Sequence, residues 1–380
     1  MTTKKALMLA SVASMIDQFN IPNIRLLQSL GYKVDTAADF TMPGTITAER
    51  AEDLKRRLGE MNVGVFDVPI PRSLSPRAIR TAYKEVRRIL EDGHYDLIHC
   101  HSPIGGAICR LAARTERRKG TRVIYTAHGF HFYSGAPLKN WLVYYPVEKI
   151  LSRCTDVLIT INREDFTRAQ KSFRAGKTVY VPGIGVDADK IAEAKADGEI
   201  RRSNSIADED TMLLSVGELN DNKNHETAIR AIALLPDRFK YVIVGKGEKL
   251  EELRTLSEEL GIADRVRFVG FKNNVYEYYK SADAFVFPSY REGLSAALME
   301  AMAAGLPVAC SRIRGNTDLI DEGKGGFMFD PSDREAIAES IRALFREDRG
   351  KMGRYNAEKI ASSFSIRKVR EEMERIYRSI

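Results

Sequence analysis

Cysteine is scarce in this 380-residue chain. There are four, Cys100, Cys109, Cys154 and Cys310, with no C-x-x-C pair and no metal-ligand spacing. Neither a disulfide framework nor a zinc site is therefore expected, and the four read as ordinary buried thiols of a reducing cytoplasm. Long apolar runs are missing as well. No stretch approaches the roughly twenty apolar residues of a spanning helix, so no helix is expected to cross a membrane. Lys4-Lys5 followed by ALMLASVAS mimics a short secretion signal, but the run is brief and leads into a helix-like segment, Ile21 to Leu30; a first buried strand accounts for it better. No D-x-D pair is placed to carry a metal, because Asp187-Ala188-Asp189 and Asp208-Glu209-Asp210 fall in or near a polar linker. The GKGE segment supplies Gly245 and Gly247, yet Leu250 holds the third position of a dinucleotide fingerprint, which disfavours a nicotinamide enzyme. Nor is there a recognised nucleic-acid-binding motif or a repeated aromatic–basic platform, so no nucleic-acid partner is expected.

What is present fits a two-domain α/β chain. Hydrophobic residues make up 44% and charged residues 29%, the balance of a soluble globular protein, and the length suits two cores rather than one. Up to about residue 180, strand and helix patterns alternate as in a doubly wound sheet. Strands are expected at Ala6–Ala13, Lys33–Ala37, Gly64–Val68, Asp96–His101, Arg122–Ala127 and Asp156–Ile161. Between them lie a loop at Ser14–Asn20 and helices at Arg50–Met61, Pro76–Asp92, Ile104–Arg118 and Leu138–Arg153. A second alternation follows a polar stretch, Lys190 to Asp210. It has strands at Thr211–Val216, Tyr241–Val244, Val266–Val269 and Ala284–Phe287, and closes on helices Arg334–Arg346 and Met352–Ser362 and an amphipathic tail, Val369–Ile380. Ligands of such sheets sit outside the carboxyl ends of the strands. His101, His128 and His131, three of the six histidines, fall on that rim, and Asp17 lies there too, where it could equally cap a helix.

Charge is unevenly shared. The net +7 divides into +11 up to Val186, from 28 basic and 17 acidic residues, and −4 beyond it. Basic residues gather at Arg72, Arg77, Arg80, Lys84, Arg87 and Arg88, and again from Arg114 to Arg122. Ala78, Ala82, Val86 and Ile89 leave the first cluster an apolar side, so much of its charge reads as a solvated helix face. The lopsidedness also suits an anionic membrane surface or a pyrophosphate-bearing acceptor.

The most informative stretch is ADAFVFPSYREGLSAALMEAMAAGLPV, Ala282 to Val308: a buried strand, a glycine-containing loop, then a nearly all-apolar helix, Ala296–Ala304, stopped by Gly305 and Pro307. Glu300 breaks that helix's character, and a buried carboxylate needs a partner. Seven residues separate it from Glu292, Gly293, Leu294 and Ser295 among them. The N–H groups of those three would face an anion such as a diphosphate, and Glu300, leaning back toward the helix start, would suit a ribose diol. The bland alternative is that Glu300 bonds a neighbouring backbone group and Glu292 is a solvated loop acid.

Glu292–x7–Glu300 followed by AMAAGLPV resembles the paired-glutamate motif of the family 4 retaining glycosyltransferases of the GT-B fold. IYTAHGFHFYSGAPLKNWLVYYPVEKILSR resembles their bacterial exopolysaccharide and capsule subgroup, and the resemblance spans nearly the whole chain. It implies two Rossmann-like domains facing each other across a cleft: an acceptor-binding domain over 1–186, a nucleotide-sugar-binding domain over 187–365, and a tail, 366–380, packing back on the first. VYVPGIGVD resembles the segment leading into the hinge, with Gly183 where an Asn is usual and Ile184 inserted. GELNDNKNHE resembles the phosphate loop: Lys223 matches, but Glu218 stands in place of the usual Arg, so it must point away or pair with a cation such as Lys246. FVGFKNN resembles the segment whose backbone, Val269 to Phe271, reads the base, although a plain core strand fits as well. In GNTDLIDEG, Asp318 stands where Glu is common and reads first as a helix-start residue.

By the resemblance the chain moves a sugar from a nucleoside diphosphate sugar, a UDP-sugar above all, to a hydroxyl acceptor with retention. The acceptor would be a polyprenyl-linked glycan of surface polysaccharide assembly, met on the inner face of the cell membrane. His128, Glu292 and Lys223 carry the chemistry. Gly217, Lys223, Val269, Phe271, Gly293, Leu294, Ser295 and Glu300 hold the nucleotide. A helix N-terminus with Lys223 can bear the leaving charge, so no cofactor and no metal are expected. The rival readings are a nucleotide-sugar epimerase on the same fold and a non-catalytic adaptor at a membrane surface.

Overall fold

The computed structural model describes residues 3–380. The run read as a signal mimic is β1, Lys5–Val12, whose Ala6, Met8 and Ala10 enter one hydrophobic cluster and Leu7 and Leu9 another. Alternation on a strand with both faces covered produces that division. The chain forms two compact units. One comprises the residues up to Gly183 together with Val369–Ile380, the other Ile184–Lys368.

In the first unit β1 is joined by β2 (Lys33–Asp39), β3 (Gly64–Asp67), β4 (Leu97–His101), β5 (Arg122–Ala127), β6 (Val157–Thr160) and β7 (Lys177–Tyr180). All neighbours are parallel, in the order β3-β2-β1-β4-β5-β6-β7. The order reverses between β1 and β4, so the loops leaving those two strands diverge and open a crevice. The C-terminal helix Ile366–Arg378 puts Val369, Met373, Ile376 and Tyr377 into the same cluster as Met8 and Ile159.

The second unit holds β8 (Thr211–Val216), β9 (Phe239–Val244), β10 (Val266–Gly270), β11 (Ala284–Phe287), β12 (Val308–Ser311) and β13 (Gly326–Phe329). They lie parallel in the order β10-β9-β8-β11-β12-β13, with the reversal between β8 and β11. Phe285 and Phe287 of β11 pack with Met212 and Leu214 of β8 on one face, Ala284 and Val286 with Leu213 on the other.

The structure differs from the sequence expectations, or adds to them, at four places. Ser14–Asn20 is not a loop: a helical turn at Ala13–Met15 runs into a π-turn, Ile16–Asn20. The helix expected over Ile104–Arg118 is two, Pro103–Ala112 and Arg114–Arg118, parted at Ala113. The strand Lys177–Tyr180 is only half buried, which hid it in a sequence read for buried runs. The polar stretch before β8 carries two short helices, Ala188–Glu193 and Gly198–Ser203, capped by Asp187 and Asp197. Among the described residues no helix is long and apolar enough to cross a membrane.

Candidate active site

The two loops at the second unit's reversal point are stitched together. The loop after β8 ends in a 3₁₀ turn, Asp221–Lys223, and in Asn224, whose left-handed backbone (φ 54°) turns the chain into the next helix. Asn224 Nδ2 donates to the carbonyls of Pro288 (3.0 Å) and Pro331 (2.7 Å). Tyr290 N–H donates to the Asn222 carbonyl at 2.8 Å, and Asn222 Nδ2 to that of Arg291 at 3.0 Å. These bonds deliver Lys223 to the loop after β11, where its Nζ meets Glu292 Oε1 at 2.7 Å. Both side chains are mostly buried, and Nζ lies 5.1 Å from the Phe287 ring centre. Glu292 is thus no solvated loop acid. The Lys223 stem crosses Gly217 closely, for a Cβ there would stand 3.3 Å from Lys223 Cδ.

Beyond the pair, Gly293, Leu294 and Ser295 give their N–H groups to no described residue. Ser295 is the N-cap of the helix Ala296–Ala303, its Oγ accepting from Leu298 N. The three expected N–H groups therefore form the approach to the helix rather than its first turn. From the far side the loop after β12 closes in. Gly315 (φ 83°) could not carry a Cβ, which would stand 2.4 Å from the Gly293 carbonyl. Next to it, buried Arg314 donates from Nε to the Glu292 carbonyl at 3.3 Å. The sequence reading missed this second cation; its only trace is an Arg before a glycine after a buried strand. Asp318 does fall in a first helical turn, that of Asn316–Leu319.

Glu300 finds a side-chain partner rather than a backbone one. Tyr279 OH donates to its Oε2 at 3.1 Å and to the Ala297 carbonyl at 3.2 Å. One hydroxyl reaching both places the carboxylate about a turn N-terminal of its own Cα, as helix geometry requires. Burial holds its carboxyl above the usual range, with the Tyr279 bond pulling the other way. Oε1 has no described partner. Glu218 is exposed and accepts from Asn220 Nδ2 at 3.0 Å; of the two arrangements expected for it, the pairing with Lys246 is not the one made. At the rim of β10, Val269 packs on the core while Phe271, just past left-handed Gly270, is exposed.

The first unit's rim carries a chain of histidines. His99 Nδ1 meets Tyr377 OH and Nε2 meets Thr126 Oγ1, each at 2.8 Å. His101 Nε2 lies 3.2 Å from Met8 Sδ, and its Nδ1 lies 3.0 Å from His128 Nε2. A thioether only accepts, so His101 carries its proton on Nε2 and presents a lone pair on Nδ1. His128 must then donate from Nε2, which leaves its own Nδ1 a bare acceptor with no described partner. Burial pushes His128 down to about 4 and His99 to about 3, and His101 well down as well, so all three are neutral near pH 7. His101 is thus a buried structural residue. His131 stacks on Tyr144, ring centres 4.5 Å apart. Asp17 caps no helix. Its buried carboxylate takes Arg50 Nε at 2.7 Å and the Arg57 guanidinium. Among the described residues no group of three or more His, Cys, Asp or Glu could hold a metal.

Two doubly wound parallel sheets, each with polar side chains at its rim, are the architecture of the GT-B glycosyltransferases. Residues 23–183 match the glycosyl transferase 4-like domain, and residues 197–359 match glycosyl transferases group 1. EpsD of Bacillus subtilis (strain 168), named as a glycosyltransferase, is 37% identical over 99% of this chain and 96% of its own. The UDP-Gal:alpha-D-GlcNAc-diphosphoundecaprenol alpha-1,3-galactosyltransferase of Escherichia coli is 31% identical over 76% of this chain and 77% of its own. Among solved structures, HepE of Anabaena, crystallised with UDP and with UDP-glucose, superposes with a TM-score of 0.78 at 17–18% identity, covering 99% of this chain and 100% of that one. The chain belongs to glycosyltransferase family 4, and it is a hexosyltransferase.

Proposed function

We propose that this glycosyltransferase takes a UDP-sugar and passes the sugar, with retention of its anomeric configuration, to a hydroxyl of a polyprenyl-linked glycan at the inner face of the cell membrane. The observation that carries the reading is the Lys223–Glu292 pair at the point where the strand order reverses. There a cation, a second cation at Arg314 and three uncommitted backbone N–H groups converge on one loop. Such a set suits a diphosphate leaving group, whose negative charge grows as the glycosidic bond breaks.

In this reading Lys223 swings its ammonium from Glu292 to the phosphates, and Glu292, so released, accepts from hydroxyls of the sugar. The N–H groups of Gly293, Leu294 and Ser295 receive the phosphate oxygens, and the passage by Gly217 leaves room for them. Glu300 Oε1 takes the ribose diol. The backbone from Val269 to Phe271 reads the base. The bare Nδ1 of His128 accepts from a sugar hydroxyl, since a neutral imidazole of that tautomer cannot donate there. The C1–O bond to phosphate breaks, a C1–O bond to the acceptor forms on the same face, and the acceptor's proton leaves on the departing phosphate. No side-chain nucleophile and no metal are called for. The Escherichia coli relative's name supports a diphosphoundecaprenol-linked acceptor, and the solved HepE complexes a uridine nucleotide.

The test is a thermal-shift panel of UDP-, GDP- and ADP-sugars, followed by turnover on a polyprenyl-diphosphate sugar with the product's anomeric proton read by NMR. Stabilisation by UDP-sugars alone and an axial-to-axial outcome are expected. Conversion of a UDP-sugar without acceptor would instead identify an epimerase.

A further inference from the structure

The segment Gly129–Pro137 leaves the His128 rim and enters the helix Leu138–Leu151, which is held firmly on its inner side. Glu148, the only acid of that helix, is buried and grips buried Arg110 through two bonds of 2.8 and 3.1 Å. Tyr125 OH adds a third bond to the same carboxylate, and the Arg110 guanidinium lies 3.8 Å from the Tyr125 ring centre. Trp141 and Tyr145 pack against Phe132, and Tyr145 also against Phe173.

The outer side is unlike a solvated helix face. Leu138, Leu142 and Ile150 are 72%, 68% and 63% exposed, and Val143, Pro146 and Val147 are exposed beside them. At 100° per residue these six share one half of the helix circumference with Lys139 and Lys149, and exposed Arg153 follows three residues after Ile150. No carboxylate interrupts this half. Burying so many aliphatic groups is favourable, and leaving them wet in one contiguous patch marks a docking surface.

We propose that the outer face of the helix Leu138–Leu151 docks on an anionic phospholipid surface. Leu138, Leu142 and Ile150 enter the acyl boundary, while Lys139, Lys149 and Arg153 extend their charges to the headgroups. Charge selects this occupant over a second copy of the chain: a two-fold contact would bring Lys139 and Lys149 of both copies into one apolar interface with no acid to meet them. The basic helix Pro76–Gly93 lacks the apolar half. Its Ala82, Val86 and Ile89 are buried in the core, so its exposed charges can steer toward a membrane without anchoring there. The inference rests on the membrane-held acceptor proposed above and assigns the surface that brings the His128 rim to it.

The experiment is flotation of the full chain with phosphatidylcholine vesicles with and without about one-third phosphatidylglycerol. Its variants are Leu142→Gln/Ile150→Gln and Lys139→Ser/Lys149→Ser/Arg153→Ser, both at exposed positions and both checked by melting temperature. The wild type should float with the anionic vesicles. The apolar double variant should lose about tenfold per side chain, and the basic triple variant should lose its preference for anionic lipid, while UDP binding stays unchanged in both. Undiminished flotation of the apolar variant overturns the proposal. So does a wild-type dimer that floats on neither vesicle and becomes monomeric on Leu142→Gln/Ile150→Gln, which would assign the face to a second copy. Docking as expected without turnover on a polyprenyl-linked acceptor would refute the acceptor reading alone. Turnover in detergent without vesicle binding would refute the docking alone.

Discussion

Replacing Glu300 by Gln separates the ligand's demand from the fold's. In the structure Oε2 is tied to Tyr279 while Oε1 is unengaged, on a carboxylate whose burial already disfavours its charge. A glutamine fills the same space, and its amide oxygen can keep the Tyr279 bond. The proposed ribose bond changes from a charged acceptor to a neutral amide. Loss of a charged hydrogen bond costs about 1–3 kcal/mol, so the UDP dissociation constant should rise about five- to 150-fold. Stability should move the other way. A carboxyl whose folded pKa is raised above its ordinary 4.5 contributes stability below that value and loses it as pH rises through the folded pKa. At neutral pH the native Glu300 therefore carries the cost of a poorly solvated charge, which Gln removes. The melting temperature of the variant should equal or exceed that of the wild type near pH 8, and the difference should shrink toward pH 4.5. Isothermal titration with UDP and melts across this range decide it. Unchanged UDP affinity in a folded variant would refute the ribose assignment, and a lower melting temperature near pH 8 would refute the burial argument.

Lys223→Met should cut kcat/KM by about 10²–10³, the scale of one lost charge-stabilising donor, and destabilise the fold by leaving Glu292 without its partner. Adding Glu292→Gln should restore the melting temperature but not activity; restored activity would remove both from the chemistry. ¹⁵N NMR should find His128 protonated on Nε2, bare on Nδ1 and not titrating between about pH 8 and 5. A His128 that titrates near 6.5 would break the His101–Met8 argument. Because His99, His128 and His225 are all held below 6.5 in the folded chain, at about 3, 4 and 3, the unfolded chain takes up more protons on acidification. Stability should hold above pH 6.5 and decline below it, as melts between about pH 7 and 5 would show. Turnover should survive excess EDTA; complete loss restored by Mg²⁺ or Mn²⁺ would assign the leaving-group charge to a metal.

Much of this protein is written locally. The apolar runs at Ala6–Ala10 and Ala284–Phe287 announce strands buried on both faces, because they are short and end in turn-forming or polar residues. Glu300 shows itself because a carboxylate inside AALMEAMAA violates its surroundings. Glu292 and Lys223 are legible as residue types in loops after strands. Their pairing is not, since 69 residues separate them and only the placing of β11 beside β8, with the Asn222 and Asn224 bonds, brings them to 2.7 Å. Arg314 was invisible for the same reason: its relation to Glu292 depends on Gly315 admitting one loop against another. The π-turn carrying Asp17 depends on Arg50 and Arg57, more than 30 residues on, so local propensity gave no warning of it. The helix Leu138–Leu151 makes the same point through its surface. Its sequence is rich in apolar residues with no single apolar stripe. Only tertiary packing, with Glu148 turned inward onto Arg110, decides that Leu138 and Leu142 face out. Periodicity and composition set which elements form, because those follow from each residue's own preferences. The partners of Lys223 and Glu148 are a property of strand order and packing, which no single stretch of chain contains.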